Sequence, residues 1–211
     1  MMQITLRYVL LFIGFTVSFS ALSQQRFGGG ITAGVVGSQV AGDSLSGYHK
    51  GGIFGGGFVT IGLGGMSSAQ MELTYFQKGS RENPIEENNY RFFLLRLNYV
   101  EMAILYQHQM GSFMFEGGPS VGVLTSFYEE NTYEIVSNVS GYPKPARFTL
   151  QINLGMVLLV SDQWQAFLRT NNSMMSVRGK DYKGVFRFWD YGQYNDALVL
   201  GLRYVFRAPN R

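Results

Sequence analysis

The chain has 211 residues, a net charge of +3 and only 15% charged residues, where globular proteins average about a quarter. So small a positive balance gives no footing for nucleic acid. With no cysteine there is no disulfide, no thiolate metal site and no cysteine-linked lipid. Mean hydropathy is +0.02, a value that alternating apolar and polar residues in a membrane-spanning wall of strands also produce.

Residues 1–23 read as a secretory signal peptide. Arg7 supplies the basic start, Tyr8 to Phe19 the short apolar run, and Ala21-Leu22-Ser23 the small residues that place cleavage before Gln24. No other stretch approaches the ~18 uninterrupted apolar residues of a membrane-crossing helix. The exported domain is then 24–206, followed by a short tail at 207–211.

From there the dominant period is two, the mark of a strand with one apolar face. Residues 27–37 put Phe27, Gly29, Ile31, Ala33 and Val35 on one face, and 50–63 resume as a glycine-rich strand. Glycine weakens a strand, but in a narrow barrel small inward residues make room for large ones opposite. Gly64-Gly65 is a tight turn. In 67–78, Ala69, Met71, Leu73 and Tyr75 oppose Gln70, Glu72, Thr74 and Phe76. In 91–107, Phe93, Leu95, Leu97 and Tyr99 oppose Leu94, Arg96 and Asn98, and then Glu101 falls on the apolar face. A bulge near Asn98 to Val100 returns Glu101 to the polar side. Residues 112–127 form a strand in which Pro119 lacks a ladder donor, so a bulge or strand rim is expected there.

Residues 148–160 are the clearest segment: Phe148, Leu150, Ile152, Leu154, Met156, Leu158 and Val160 form one long apolar face. Ordinary strands run about five or six residues, whereas crossing a bilayer takes roughly nine to eleven. In 163–176, Trp164, Ala166 and Leu168 oppose Gln165, Phe167, Arg169 and Asn171. In 196–206, Leu198, Leu200, Leu202, Tyr204 and Phe206 oppose Val199, Gly201, Arg203 and Val205.

Eight strands result. In lipid only a closed barrel satisfies their backbone groups, so the expected fold is all-β, an eight-stranded antiparallel up-and-down transmembrane β-barrel of outer-membrane type. Connections alternate long (38–49, 79–90, 128–146, 177–195) and short (64–66, 108–111, 161–162). Long loops outside and short turns in the periplasm are the bacterial outer-membrane pattern, which puts both termini in the periplasm.

Two motifs carry a family resemblance. Leu97-Asn98-Tyr99-Val100-Glu101-Met102-Ala103-Ile104-Leu105-Tyr106 resembles the Tyr-Leu-Glu-Ile-Pro-Leu-Leu core of PorT-like outer-membrane β-barrel proteins, with Ala103 where that family usually has proline. Phe115-Glu116-Gly117-Gly118-Pro119-Ser120-Val121-Gly122 resembles its Gly-Gly-Pro strand. The resemblance implies an outer-membrane barrel, and its best-known member serves type IX protein secretion.

The inward set is Glu72, Arg96, Glu101, Glu116, Arg169 and Arg203. Both signs meet in a lumen just wide enough to be filled by side chains. An ion path and a structural ion-pair network are the two readings, and the network is favoured because removing one partner strands a buried charge. The long loop holding Lys180, Tyr182, Lys183, Arg187, Trp189 and Tyr191 has the aromatic and basic character of a partner- or lipid-binding surface. A self-packed cap over the barrel mouth explains it equally. His49 and His108 carry no catalytic or metal-binding pattern, and the glycine runs lack the Lys-Ser/Thr of a phosphate loop.

The expectation is therefore a non-catalytic scaffold or accessory subunit of the cell envelope, with outer-membrane lipid and envelope proteins as partners and neither cofactor nor metal. A narrow pore for ions or small solutes is the alternative. A lipid enzyme ranks lowest, and a soluble ligand-binding barrel requires the opposite distribution of charge.

Overall fold

The computed structural model describes residues 27–45, 47–139, 144–179 and 182–206. The expected signal peptide, the tail at 207–211 and Lys180 lie outside the described residues. Ten strands follow in chain order: β1 Phe27–Ala41, β2 Lys50–Gly64, β3 Ser67–Glu82, β4 Phe93–Met110, β5 Phe113–Asn131, β6 Phe148–Leu159, β7 Trp164–Ser173, β8 Val185–Arg187, β9 Asp190–Gly192 and β10 Tyr194–Val205. Eight of them close a barrel in the order β1-β10-β7-β6-β5-β4-β3-β2, while β8 and β9 pair as a separate hairpin. Every pairing is antiparallel. The first and last barrel strands meet along Gly30↔Val205 to Ala41↔Tyr194, so no edge is left open at the seam.

Alternation decides which side faces what. On β6, Leu154, Met156 and Leu158 are exposed while Thr149, Gln151, Asn153 and Val157 are buried. On β10, Leu198, Leu200 and Leu202 are exposed while Val199 and Arg203 are buried. The exposed apolar residues continue around the barrel through Ile31 and Val35, Ile53 and Val59, Met71 and Leu73, Met102 and Ile104, and Phe113 and Phe115. A monomer in water does not expose so continuous an apolar belt; a barrel in lipid requires it.

Strand β4 departs from expectation. Leu95, Leu97, Tyr99, Glu101, Ala103, Leu105 and Gln107 are all buried on one inward face. The alternation never breaks, so no bulge in β4 is needed to bring Glu101 inside. A register shift does occur at Asn98/Tyr99, but the extra residue is Thr125 on β5, whose hydroxyl donates to the Asn98 carbonyl (3.0 Å). The bulge flips β5, so that Leu124 and Phe127, opposite Tyr99 and Leu97, pack against the buried apolar residues. Pro119 produces no bulge: the β4–β5 ladder lapses between Ala103↔Ser120 and Tyr106↔Gly117 and resumes in the same register.

Beyond Phe76, β3 no longer pairs with β2, and beyond Val123, β5 no longer pairs with β6. The loop ends of β3, β4 and β5 thus stand as a three-stranded ledge above the belt. Arg81 and Arg96 are exposed on its outer face.

Inside, glycines stand where large side chains cross. A Cβ on Gly201 lies 2.5 Å from the Phe167 ring, and one on Gly30 lies 2.6 Å from the Phe58 ring. Each glycine is the register partner of its aromatic residue, so small-against-large packing fills the narrow interior.

Candidate functional site

Four strands, far apart in the chain, bring one charged residue each to a single level of the lumen. Glu72 comes from β3, Glu116 from β5, Arg169 from β7 and Arg203 from β10. Arg169 donates Nη1 and Nη2 to the two Glu72 oxygens (2.6 and 2.8 Å) and Nε to Glu116 Oε1 (2.8 Å). Arg203 Nη2 donates to Glu72 Oε1 (3.0 Å) and to both Glu116 oxygens (3.0 and 2.8 Å). Gln70 donates to Glu72 (2.6 Å), and Gln107 donates to Glu116 (3.1 Å) and to Gln70 (3.0 Å). Two cations meet two anions, so the cluster is neutral, and all four residues are buried.

Charge-assisted, forked contacts of this kind are the strongest hydrogen bonds a protein makes. They offset the desolvation of four ions only because nearly every lone pair is used. Arg203 Nε and Nη1 find no hydrogen-bond partner among the described residues. The Arg203 guanidinium instead lies over the Phe167 ring at 4.7 Å, an attraction that grows in a desolvated site.

A second cluster sits nearer the loops. Lys78 Nζ donates to Glu101 Oε1 and Asn171 Oδ1 (both 2.5 Å), and lies 4.1 Å from the centre of the Phe76 ring. Asn171 donates to Glu101 Oε2 (3.2 Å) and Asn153 Oδ1 (2.8 Å), and Asn153 donates to Ser120 Oγ (3.0 Å). Gly122 makes space here, since a Cβ on it lies 2.9 Å from Thr149 Oγ1 and 3.2 Å from Glu101 Cγ.

Toward the loops Val40, Leu95, Leu97, Tyr99 and Ala197 are also buried, alongside the polar Ser38, Lys50 and Ser80. At the loop-side mouth Arg178 pairs with Glu129, both buried. On the turn side a cavity of about 680 Å³, with Thr60, Ser68, Gln70, Gln107 and Gln165 among polar and apolar walls, reaches as far as the first cluster.

Of the residues expected inside, Glu72, Glu101, Glu116, Arg169 and Arg203 line the lumen, in two clusters rather than one. Arg96 does not. It pairs with Gly79 and Tyr128 on the outer face of β4 and is exposed. The ledge lifts this stretch above the belt, where a charged outward residue meets water or head groups rather than hydrocarbon. Lys78, Gln70, Gln107 and Asn171 complete the clusters; Lys78 shares the parity of Glu72, Thr74 and Phe76, which is the signal for it.

The long loop divides. Tyr182 lies beneath the Arg178 guanidinium at 4.8 Å, and Lys183 is exposed. Arg187 binds Asp196 through both nitrogens (2.6 and 2.8 Å). Trp189 is exposed, and Tyr191 is exposed with its hydroxyl accepting from Gly184 N (3.1 Å). Among the described residues no group of three or more His, Cys, Asp or Glu is placed to hold a metal.

The crystal structure of Ail, the attachment invasion locus protein of Yersinia pestis, superposes with a TM-score of 0.48 at 11% identity, over 85% of this chain and 98% of that one. The crystal structure of Neisserial surface protein A does so with a TM-score of 0.44 at 13% identity, over 83% of this chain and 96% of that one. No curated protein matches the sequence. The family model described as outer membrane protein beta-barrel domain matches residues 11–178. Together with the closed eight-stranded wall and its apolar belt, that match places the chain in the outer-membrane protein β-barrel family, and so in the bacterial outer membrane.

Proposed function

We propose that this barrel is a non-catalytic accessory or scaffold protein of the outer membrane that works through its external surfaces. The observation that carries the reading is the filled lumen: a neutral four-ion cluster, a Lys78–Glu101 cluster and buried apolar side chains occupy it. A solute crossing the barrel has to displace them. Eight strands leave an interior that side chains fill, whereas porins with open channels use sixteen to eighteen. The lumen carboxylates are engaged by guanidinium, ammonium and amide donors, which suits a structural network better than a proton-transfer site.

The resemblance to PorT-like barrels supports an accessory part in protein secretion of the type IX kind. The short turns at one end and long loops at the other support a periplasmic location for both termini after removal of residues 1–23. The long ledge of β3–β5 offers envelope partners a surface clear of the lipid.

Purification from native membranes in mild detergent tests this reading: stoichiometric partner proteins are expected, and a solitary barrel overturns it. Planar-bilayer recording tests the pore alternative. Steady conductance that disappears with Arg203→Ala favours the pore; a silent bilayer favours the accessory role.

A further inference from the structure

The β8–β9 hairpin interrupts the chain between β7 and β10, and its position follows from the parity of β10. Leu198, Leu200 and Leu202 face outward, and the β10 pairings with β1 and β7 run without a register shift to Tyr194 and Asp196 respectively. Asp196 and Tyr194 therefore also belong to the outer face. Both are nonetheless buried, with Tyr194 at 0% exposure. What covers them is the hairpin. The Arg187 guanidinium holds the Asp196 carboxylate and lies over the Tyr194 ring at 5.0 Å. Tyr194 Oη donates to the carbonyls of Arg187 (3.2 Å) and Asp190 (2.6 Å). Asn172, on the outer face of β7, donates to Asp196 (2.8 Å). The hairpin thus lies clipped against the outside of the wall rather than over the mouth.

Its height is fixed too. Asp196 is one outward position above Leu198, a rise of roughly 7 Å along the strand, so the hairpin begins where the apolar belt ends. The charges of its turn are used locally: Arg187 on Asp196, and Asp190 on Ser176 Oγ (2.7 Å) and the Tyr191 amide (2.8 Å). What the tip presents is apolar and aromatic, with Phe186 exposed to 72%, Trp189 to 62% and Phe188 to 53%. Phe186 and Tyr191 are cross-strand partners on the face opposite to Arg187 and Asp190, which is the face turned away from the wall. Phe188 takes a φ of 55°, a conformation uncommon for a bulky residue.

We infer that the β8–β9 hairpin is an interfacial anchor that sets Phe186, Phe188 and Trp189 into the head-group boundary of the outer leaflet beside β10. Aromatic side chains collect at membrane–water interfaces because an apolar ring and a polar edge or neighbouring backbone are both accommodated there. The patch continues the lipid-facing belt through Leu198; Arg187 is neutralised by Asp196, and Asp190 is held by neutral hydrogen-bond donors. Both features suit a lipid boundary better than a charged protein partner. The inference rests on membrane insertion of the barrel and not on its accessory role.

Tryptophan fluorescence tests it, because the chain has two tryptophans, Trp164 at the turn-side rim and Trp189 in the hairpin. The full chain carrying Trp164→Phe, folded into phosphatidylcholine vesicles, reports Trp189 alone. Blue-shifted emission, strong quenching by lipid brominated near the glycerol and weak quenching by iodide are expected. Asp196→Asn should then shift the emission to the red and open it to iodide, with heat-modified gel mobility unchanged. Emission typical of water, with full iodide access and no response to brominated lipid, overturns the inference and leaves the tip free for a soluble partner. The Trp189→Phe variant, reporting Trp164, separates the two failures. If Trp164 is also in water, the barrel is not inserted; if only Trp189 is, the anchor reading alone falls.

Discussion

Arg169→Met is the sharpest perturbation of the lumen. The substitution keeps an unbranched, shorter apolar stem and removes every donor of residue 169 to Glu72 and Glu116. Glu72 then keeps Arg203 at 3.0 Å and Gln70 at 2.6 Å, and Glu116 keeps Arg203 at 2.8 Å and Gln107 at 3.1 Å. Two carboxylates face one guanidinium, and the cluster carries a net negative charge away from water. Breaking a buried ion pair by removing one partner costs about 3–5 kcal/mol. Because each carboxylate retains a cation and an amide, the loss should lie near 3 kcal/mol, roughly two powers of ten in the folding equilibrium. Urea unfolding in lipid vesicles, followed by tryptophan emission and by gel mobility, measures it. The decisive comparison is Glu116→Gln/Arg169→Met, which restores neutrality and should recover about 1–2 kcal/mol through coupling between contacting residues. If the single variant loses less than about 1 kcal/mol, or the double variant is no more stable than the single, neutrality is not what holds the cluster and the ion-network argument fails.

Arg96→Met, on the outer ledge, should change stability by less than about 0.5 kcal/mol in the same assay; a loss like that of Arg169→Met would put Arg96 back in the lumen. Gly201→Val should destabilise by about 1–3 kcal/mol or more through overpacking, since a Cβ there lies 2.5 Å from the Phe167 ring and 2.7 Å from the Ala33 carbonyl; the pairing Gly201→Val with Phe167→Ala should restore part of it. In the β1–β2 loop, burial raises the pKa of Asp43 above its usual value, against a hydrogen bond from Ser80 and one from the Leu45 amide. A carboxyl raised on folding opposes the folded state once pH exceeds its unfolded value. Asp43→Asn should therefore stabilise the barrel at neutral pH, with the gain fading as pH falls below the ordinary aspartate range. A gain that persists unchanged in acid refutes the assignment.

Much of this protein was legible in order of residues alone. A period of two, repeated eight times with faces long enough to cross a bilayer, specifies a closed wall, because unpaired strands cannot satisfy their backbone in lipid. On β6 and β7 the alternation also told inside from outside, since one face was apolar and the other largely polar, and on β10 the charge of Arg203 marked the inward face. On β4 it did not. The apolar face of residues 93–99, with Leu95, Leu97 and Tyr99, turned inward, because an eight-stranded lumen is itself partly an apolar core and because the ledge allows a charge to face outward. The direction of Arg96 was set by the unbroken β3–β4 register, which a single strand does not encode. The meeting of Glu72 with Arg203, 131 residues apart, exists only once β1 and β10 close the ring. The hairpin over Asp196 is likewise a tertiary outcome: composition marked the loop as aromatic and basic, but only the outward parity of Tyr194 and Asp196 places it against the wall at the lipid boundary.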